Sequence, residues 1–232
     1  MDEEAKLNLL KQKKYSDLDD YIEHSGNSLN YLLPLFHFGH FNRDDSLDLM
    51  LTGNFGGEAV RSMIYIEDGG EFTKICSVGN IDRLEYGKYD IPRIISHYPP
   101  CCADIIHTIG VISPRSNTSY ESEIRYYYNH GTEIPDAREV IGEIRVLNPD
   151  YYLRTSPTID NMDRGSFEPV GNIAHTFHAG DEGTAYESQK DSEGRTWYFV
   201  VMKNPEPPDN VHFPEEGSLY LGWISGRYLE VR

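Results

Sequence analysis

The spacing of apolar and polar positions divides the chain into a helical opening and a long series of strands. In residues 5–23, apolar side chains recur at intervals of three to five between Leu7 and Ile22, which predicts a short amphipathic helix. From residue 30 onward, short apolar runs alternate with turn-forming clusters such as GNFGGE, EDGGE and SPRSNTS, which is typical of strands joined by turns. The predicted strands of this part are 48–51, 61–66, 72–78, 105–112 and 123–128.

The strand pattern lapses around residues 129–142, and this gap predicts a domain boundary. We therefore expect an N-terminal β-rich domain over 1–137, led by the short helix, and a second domain over 138–232. The chain contains 17 tyrosines, a residue that packs well on half-buried sheet surfaces. The predicted fold class is mainly β.

The net charge of the chain makes some classes of binding partner less expected than others. Its 232 residues include 38 acidic and 21 basic side chains, for a formal net charge of −17. A negative field of this size repels phosphate backbones and anionic lipid headgroups, so nucleic acids and membrane surfaces are not expected partners. A cationic partner is compatible with this charge, and so is a surface that serves only solubility.

The sequence leaves the compartment open. No apolar run approaches the length needed to span a bilayer. The first residues, MDEEAKLNLLKQ, lack the basic and apolar segments of a signal peptide. The chain would therefore be exported only if a signal had been removed before Met1, and a cytoplasmic location stays open.

Three segments that follow one another in the second domain resemble the bacterial SH3-like family. YYLRTSPTIDN, at 151–161, is similar to the family's Leu-Asn-Val-Arg-Ser-Gly-Pro-Ser segment, although the family's Gly is missing. RTWYFVVMK resembles the central strand, and GSLYLGWISGRYLEV resembles the closing Gly-Trp-Val-Ser-x-x-Tyr-Leu motif. The resemblance covers 140–232 and implies a small, closed β-barrel whose members bind cell-wall peptides or accompany wall hydrolases.

The closing motif has a physical interpretation within such a barrel. Gly222 permits a close approach of backbones, Trp223 plugs the barrel, and the SGR segment forms a short 3₁₀-like turn. Tyr228 and Leu229 then close the core. We accordingly expect Trp223 to be buried.

The segment 37–51, HFGHFNRDDSLDLML, resembles a single strand of the FG-GAP (VCBS-type) repeats, which carry a calcium loop. The positions of the oxygen ligands are taken here by His40, Asn42, Asp44 and Asp48, and Asp45 stands where the family has Gly. A histidine is a poor ligand for a hard cation, and the sharp turn of such loops needs glycine. The residues therefore favour a hairpin that has lost most of its metal chemistry, with calcium binding as the less favoured alternative, and no metal site or cofactor is assigned.

One cluster, SHYPPCCADIIH, combines the residues His97, Cys101, Cys102, Asp104 and His107. Three interpretations stay open for it: a disulfide or inert thiols, a zinc site, and a cysteine nucleophile. The pattern lacks the motifs of wall peptidases and zinc hydrolases. Cys76 is expected to pair with Cys101 or Cys102 if the protein is exported.

Histidines recur once more in the second domain, at His175 and His178. They lie three residues apart and would face opposite sides of a strand. We expect both at an exposed loop edge.

These observations predict a non-catalytic protein of the bacterial cell envelope, in the periplasm or at the cell surface, whose SH3-like module binds a wall peptide or a protein. The predicted ligand-binding residues are Tyr151, Tyr152, Tyr186 and Tyr198. One alternative is an acidic inhibitor or immunity-type protein that neutralises a basic enzyme or toxin. Another is a wall hydrolase that uses the cluster from Cys101 to His107.

Overall fold

The computed structural model describes residues 4–6, 8, 14–15, 33–54, 60–98, 106–136, 139–162, 171–203 and 218–232. The protein is mainly β with one short N-terminal helix, which confirms the predicted fold class. Residues 4–6 and 8 are helical, whereas Lys14–Tyr15 forms strand β1. The predicted helix is therefore not continuous over 5–23, and the rest of that segment lies outside the described residues. No helix among the described residues is long and apolar enough to cross a membrane.

The chain divides into two compact units. The first contains Met1–Cys101 and Ile109–Glu123, and the second contains Cys102–Thr108 and Ile124–Arg232. The predicted division after residue 137 stays a prediction, because compact units and independently folding domains are different properties.

The first unit is built around an antiparallel sheet. Its strands are β2 (Phe36–Gly39), β3 (Asp48–Asn54), β4 (Val60–Asp68) and β5 (Glu71–Val78), and a 3₁₀ turn at Leu33–Leu35 precedes them. Strand order is β1-β5-β4-β3-β2, with β1 parallel to β5. Strands β6 (Asn80–Glu85) and β7 (Arg93–Tyr98) form a further hairpin, and β8 spans Ile106–Ile112.

Alternating apolar side chains explain why these segments form strands. In β5, Phe72, Cys76 and Val78 are buried, whereas the polar residues between them are exposed. A register shift separates Phe72 from the other two, and Cys76 and Val78 belong to a different apolar cluster from Phe72. Phe72 packs in one buried cluster with Phe36 and Leu49. All five predicted strands are present at β3, β4, β5, β8 and β9.

The second unit contains the segments that resemble SH3-like domains. Its strands are β9 (Ile124–Asn129), β10 (Gly142–Val146), β11 (Tyr151–Arg154), β12 (Ile173–Phe177), β13 (Glu182–Lys190), β14 (Thr196–Lys203), β15 (Leu219–Ser225) and β16 (Leu229–Val231). They are ordered β16-β10-β13-β14-β15-β9, and β11 joins β12 to β15.

The described strands of this unit do not close into a barrel, so the predicted closure is wrong. The edge of β15 is shared between two neighbours. Leu219 and Tyr220 pair with β9, so β11 meets β15 only at the pair Arg154–Trp223. Within the described residues β12 pairs only with β11, and β16 only with β10.

The closing motif behaves partly as predicted. Gly222 is needed for close packing, because a Cβ there would lie 2.8 Å from the Arg154 carbonyl oxygen and from Leu153 Cγ. Gly226–Tyr228 forms the expected 3₁₀ turn, capped by the Ser225 side chain. Leu229 packs against the core, but Tyr228 is 40% exposed instead of closing it.

Trp223 is buried as predicted, with 3% of its surface exposed. It does not plug the core, however. Successive strand residues point to opposite faces, and it is Ile224 that joins the apolar cluster containing Leu153 and Phe177. Trp223 packs edge-on against Phe199 at 5.6 Å, and its indole Nε1 donates to the Glu133 carbonyl at 2.7 Å.

Candidate functional site

A groove of about 190 Å³ lies in the second unit where β11, the start of β14 and the C-terminal 3₁₀ turn come together. Its walls are lined by the aromatic residues Tyr151, Tyr152, Trp197 and Tyr228, the arginines Arg154, Arg195 and Arg227, and Ile159 and Ser225. Cofactor and drug-sized pockets span about 300–1,000 Å³. The groove is therefore smaller than a typical cofactor pocket.

Hydrogen bonds fix two of the four aromatic side chains that line the groove. Tyr151 is half-buried and donates its hydroxyl hydrogen to the Ser225 carbonyl at 2.8 Å, and its ring meets Tyr228 edge-on at 5.7 Å. Trp197 is buried, and its Nε1 donates to the Asp191 carboxylate at 2.9 Å. Tyr152 and Tyr228 are each about two-fifths exposed. The rings of Tyr151 and Trp197 are thus fixed by hydrogen bonds, and a ligand can reach the rings of Tyr152 and Tyr228.

Each arginine of the groove lies over one of these aromatic rings. The guanidinium carbons of Arg154, Arg195 and Arg227 lie 5.4, 5.8 and 5.4 Å from the ring centres of Tyr152, Trp197 and Tyr228, respectively. Strand geometry explains the pair on β11, because residues two apart on a strand share a face, and Arg195 comes directly before β14. A ring contact of this kind orients a guanidinium and leaves its N–H groups able to bind an acceptor.

Arg154 is the most deeply placed cation of the groove, with 5% exposure. Its guanidinium donates to the Asp160 carbonyl at 3.2 Å and to the side-chain oxygens of Asn172 and Asn161 at 2.7 and 2.8 Å. Burial lowers the pKa of Arg154 from its ordinary value. No carboxylate forms an ion pair with it among the described residues, so its charge is solvated by neutral oxygens.

A second depression, of about 450 Å³, adjoins the groove and shares Arg195 and Arg227 with it. Its other lining residues are Glu193, Gly194, Thr196, Tyr198 and Gly226. A Cβ on Gly226 would lie 2.8 Å from the Tyr198 ring, so glycine is required for this ring to approach the turn. The two depressions form a continuous strip on either side of the arginine pair.

The structure brings together some of the predicted site residues. Tyr151 and Tyr152 line the groove and Tyr198 lines the adjoining depression. Tyr186 lines neither. It occupies the β-bulge of β13 between Ala185 and Glu187, where burial, followed by the neighbouring Tyr126 and Glu143, raises its pKa.

Sequence reasoning did not assign a binding role to the arginines, to Trp197 or to Tyr228. A usable signal was present, because the three segments YYLR, RTW and GRY each place an arginine within two residues of an aromatic side chain. These segments are far apart along the chain. Only the folded sheet shows that they line one groove.

The predicted cluster at 97–107 is described only in part. Cys101, Cys102 and Asp104 lie outside the described residues, and His97 lies in β7. His107 Nε2 lies 3.2 Å from His130 Nδ1, and the His107 ring stacks on Tyr128. Cys76 is a buried free thiol, so the structure does not contain the disulfide expected for an exported protein.

The two histidines of the second unit differ from the expectation. His178 is exposed and lies 3.3 Å from Asp150, as expected of a loop edge. His175 lies within β12 and stacks on Tyr220 with ring centres 4.7 Å apart. It is therefore half-buried against the core, and the prediction of an exposed edge is wrong for it.

The segment that resembles a calcium loop uses its side chains for internal hydrogen bonds. The buried Asp48 carboxylate accepts the backbone N–H groups of Phe41, Asn42 and Glu67 at 2.7–3.1 Å. Burial raises the pKa of Asp48 even so. Asp44 caps the turn by accepting the Ser46 N–H at 2.7 Å. These bonds give the two carboxylates a structural role in the hairpin.

Among the described residues, no group of three or more histidine, cysteine, aspartate or glutamate side chains is arranged to hold a metal ion. No protein-family model, curated protein or solved structure matches the chain. The groove itself is therefore the basis for any functional inference.

Proposed function

We propose that this protein is a non-catalytic binding protein of the bacterial cell envelope, and that its second unit is an SH3-like module that holds a wall peptide in the aromatic groove. One observation carries the proposal. The three segments that resemble SH3-like domains, at 151–161, 195–203 and 217–231, all contribute side chains to the same groove.

The chemistry of the groove supports peptide binding. Tyrosine offers a large apolar face and a polar tip, and it loses little side-chain entropy on binding because it has only two rotatable angles. Tyr152 and Tyr228 are exposed while their neighbours Tyr151 and Trp197 are fixed by hydrogen bonds. A preformed wall of this kind keeps the cost of ordering low.

Co-sedimentation with purified peptidoglycan tests the proposal. We expect the protein to pellet with the wall, and Tyr152→Ala to weaken binding about tenfold, as loss of an aromatic anchor does. Tyr86→Ala is the matched control, because Tyr86 is 46% exposed in the first unit. Equal retention of both variants would contradict a role for the groove, and release of soluble wall fragments by the pure protein would contradict binding without turnover.

A second candidate function is the neutralisation of a basic enzyme or toxin, which the net charge of −17 favours. Attraction between exposed charges is screened over about 10 Å at 0.1 M salt, whereas contact with aromatic faces persists. Binding that is lost between about 0.05 and 0.5 M salt and that does not depend on Tyr152 would favour the inhibitor. Binding that persists at high salt and requires Tyr152 favours the groove.

A further inference from the structure

The groove concentrates positive charge in a strongly acidic protein. Arg154, Arg195 and Arg227 line it together, and no aspartate or glutamate is among its lining residues. Over the whole chain, acidic side chains outnumber basic ones by 38 to 21. A local reversal of the prevailing sign in a concave, aromatic site is the electrostatic pattern of a site for an anionic group.

Two of the three guanidinium groups reach the surface of the groove, Arg227 as an exposed residue and Arg195 in part. Arg227 lies over the Tyr228 ring and forms no side-chain ion pair among the described residues. Arg195 lies 3.7 Å from Glu193, with side-chain exposures of 24% and 79%, and it also interacts electrostatically with Asp191. A long contact to such an exposed carboxylate contributes little, so a ligand anion can compete with Glu193 for Arg195.

The positive charge of Arg154 adds to the electrostatic potential of the groove. Its guanidinium is buried and solvated only by carbonyl and amide oxygens, so its positive charge is not neutralised by direct contact with a carboxylate. A buried charge that lacks a counter-ion acts over a longer distance than an exposed one, because protein screens it less than water does.

We propose that the groove recognises a carboxylate of its peptide ligand, bound by Arg227 and Arg195 while the adjoining backbone packs on Tyr152 and Tyr228. This inference rests on the proposed function and specifies its ligand as an acidic peptide segment. Guanidinium groups bind planar carboxylates through paired, charge-assisted hydrogen bonds. A single carboxylate also suits the size of the groove, whereas a polyanion would meet the field of the surrounding −17 protein.

Calorimetry with two synthetic wall stem peptides tests the inference on the full chain. One peptide carries free carboxylates, and in the other every carboxylate is converted to an amide. We expect the amidated peptide to bind about 10–100-fold more weakly, because one charge-assisted interaction is worth about that factor. Arg227→Ala should weaken the binding of the acid about tenfold and leave binding of the amide unchanged, and Arg227→Lys should restore only part of the loss.

Arg145→Ala is the control for bulk charge. The side chain of Arg145 is 45% exposed and lies 3.6 Å from Glu182. Arg145 is on β10 and does not line the groove. Its removal changes the net charge by the same amount as Arg227→Ala. Equal weakening by both variants would show a bulk effect and overturn the inference.

The comparison of the two peptides distinguishes failure of this inference from failure of the proposed function. If the acid and the amide bind with equal affinity and both need Tyr152, the carboxylate inference is wrong and the peptide module stands. If neither peptide binds, both are wrong. Tighter binding of the acid that depends on Arg227 supports both.

Discussion

Replacing Trp223 with alanine removes an indole that is 97% buried, as its exposure of 3% shows. Truncation of a large buried aromatic side chain costs about 3–5 kcal/mol. The same change removes the donor to the Glu133 carbonyl, which lies 2.7 Å from Nε1. We therefore expect Trp223→Ala to lower the free energy of unfolding by about 3–5 kcal/mol.

Trp223→Phe separates the two contributions, because the ring contact with Phe199 is kept while the hydrogen bond to Glu133 is lost. Glu133 is an exposed residue, so its carbonyl can bind water instead and the lost hydrogen bond costs about 0.5–1.5 kcal/mol. This variant should therefore fall between the wild type and the alanine variant. Urea unfolding followed by far-ultraviolet circular dichroism measures the difference as a shift in midpoint at constant slope. A loss below about 1 kcal/mol for Trp223→Ala, at unchanged slope, would refute the reasoning from burial.

Three further predictions concern packing, pH and thiol reactivity. Gly222→Ala should cost about 1–3 kcal/mol because its Cβ has no room, whereas Gly87→Ala, with open space around it, should unfold at the wild-type urea concentration. Burial lowers the pKa of His175 from 6.5, so the unfolded state binds more protons. The contribution of the neutral His175 side chain to the free energy of unfolding should be complete above pH 6.5. It should decline as the pH falls from there toward the lower pKa of the folded state. Thermal unfolding between pH 8 and pH 5 checks this, with a flatter profile for His175→Phe than for the wild type; parallel profiles for the two proteins would contradict it. Burial raises the pKa of the Cys76 thiol to about 12, so iodoacetamide should label it only in denaturant, as peptide mass mapping would show; rapid labelling of Cys76 in the native protein would exclude this environment.

The sequence predicts the β character and many strand positions because those signals are local. In β5, for example, the exposed Ser77 separates the buried Cys76 and Val78, and this alternation can be seen in the sequence. The same holds for the turn at Gly226–Tyr228 and for the close approach at Gly222, since both follow from short motifs.

The features that sequence reasoning missed depend on pairing between distant segments. The barrel does not close because β9 and β11 share the edge of β15. The sequence of each strand alone does not show that both pair with the same edge. Trp223 and Ile224 are both apolar, so the sequence cannot show which of them faces the core. Strand β12 likewise places His175 against Tyr220, although a histidine after a turn is usually exposed.

The groove shows the same division between local and distant information. Tyr151 and Tyr152 were predicted as binding residues from a local resemblance, and they do line it. Arg195 and Arg227 come from the start of β14 and from the C-terminal turn, and their approach to Tyr152 exists only in the folded protein. The grouping of the arginines in the groove is therefore a property of the fold.

The central claim is that the groove of the second unit holds a peptide, and amide chemical-shift mapping tests it most directly. Titration of the ¹⁵N-labelled protein with a wall stem peptide should shift the amides of 151–154, 195–198 and 225–228, which border the groove and its adjoining depression. Amides near Tyr186 and in the first unit should stay in place. Saturable shifts confined to the Tyr186 region or to the first unit, with the groove unaffected, would contradict the account.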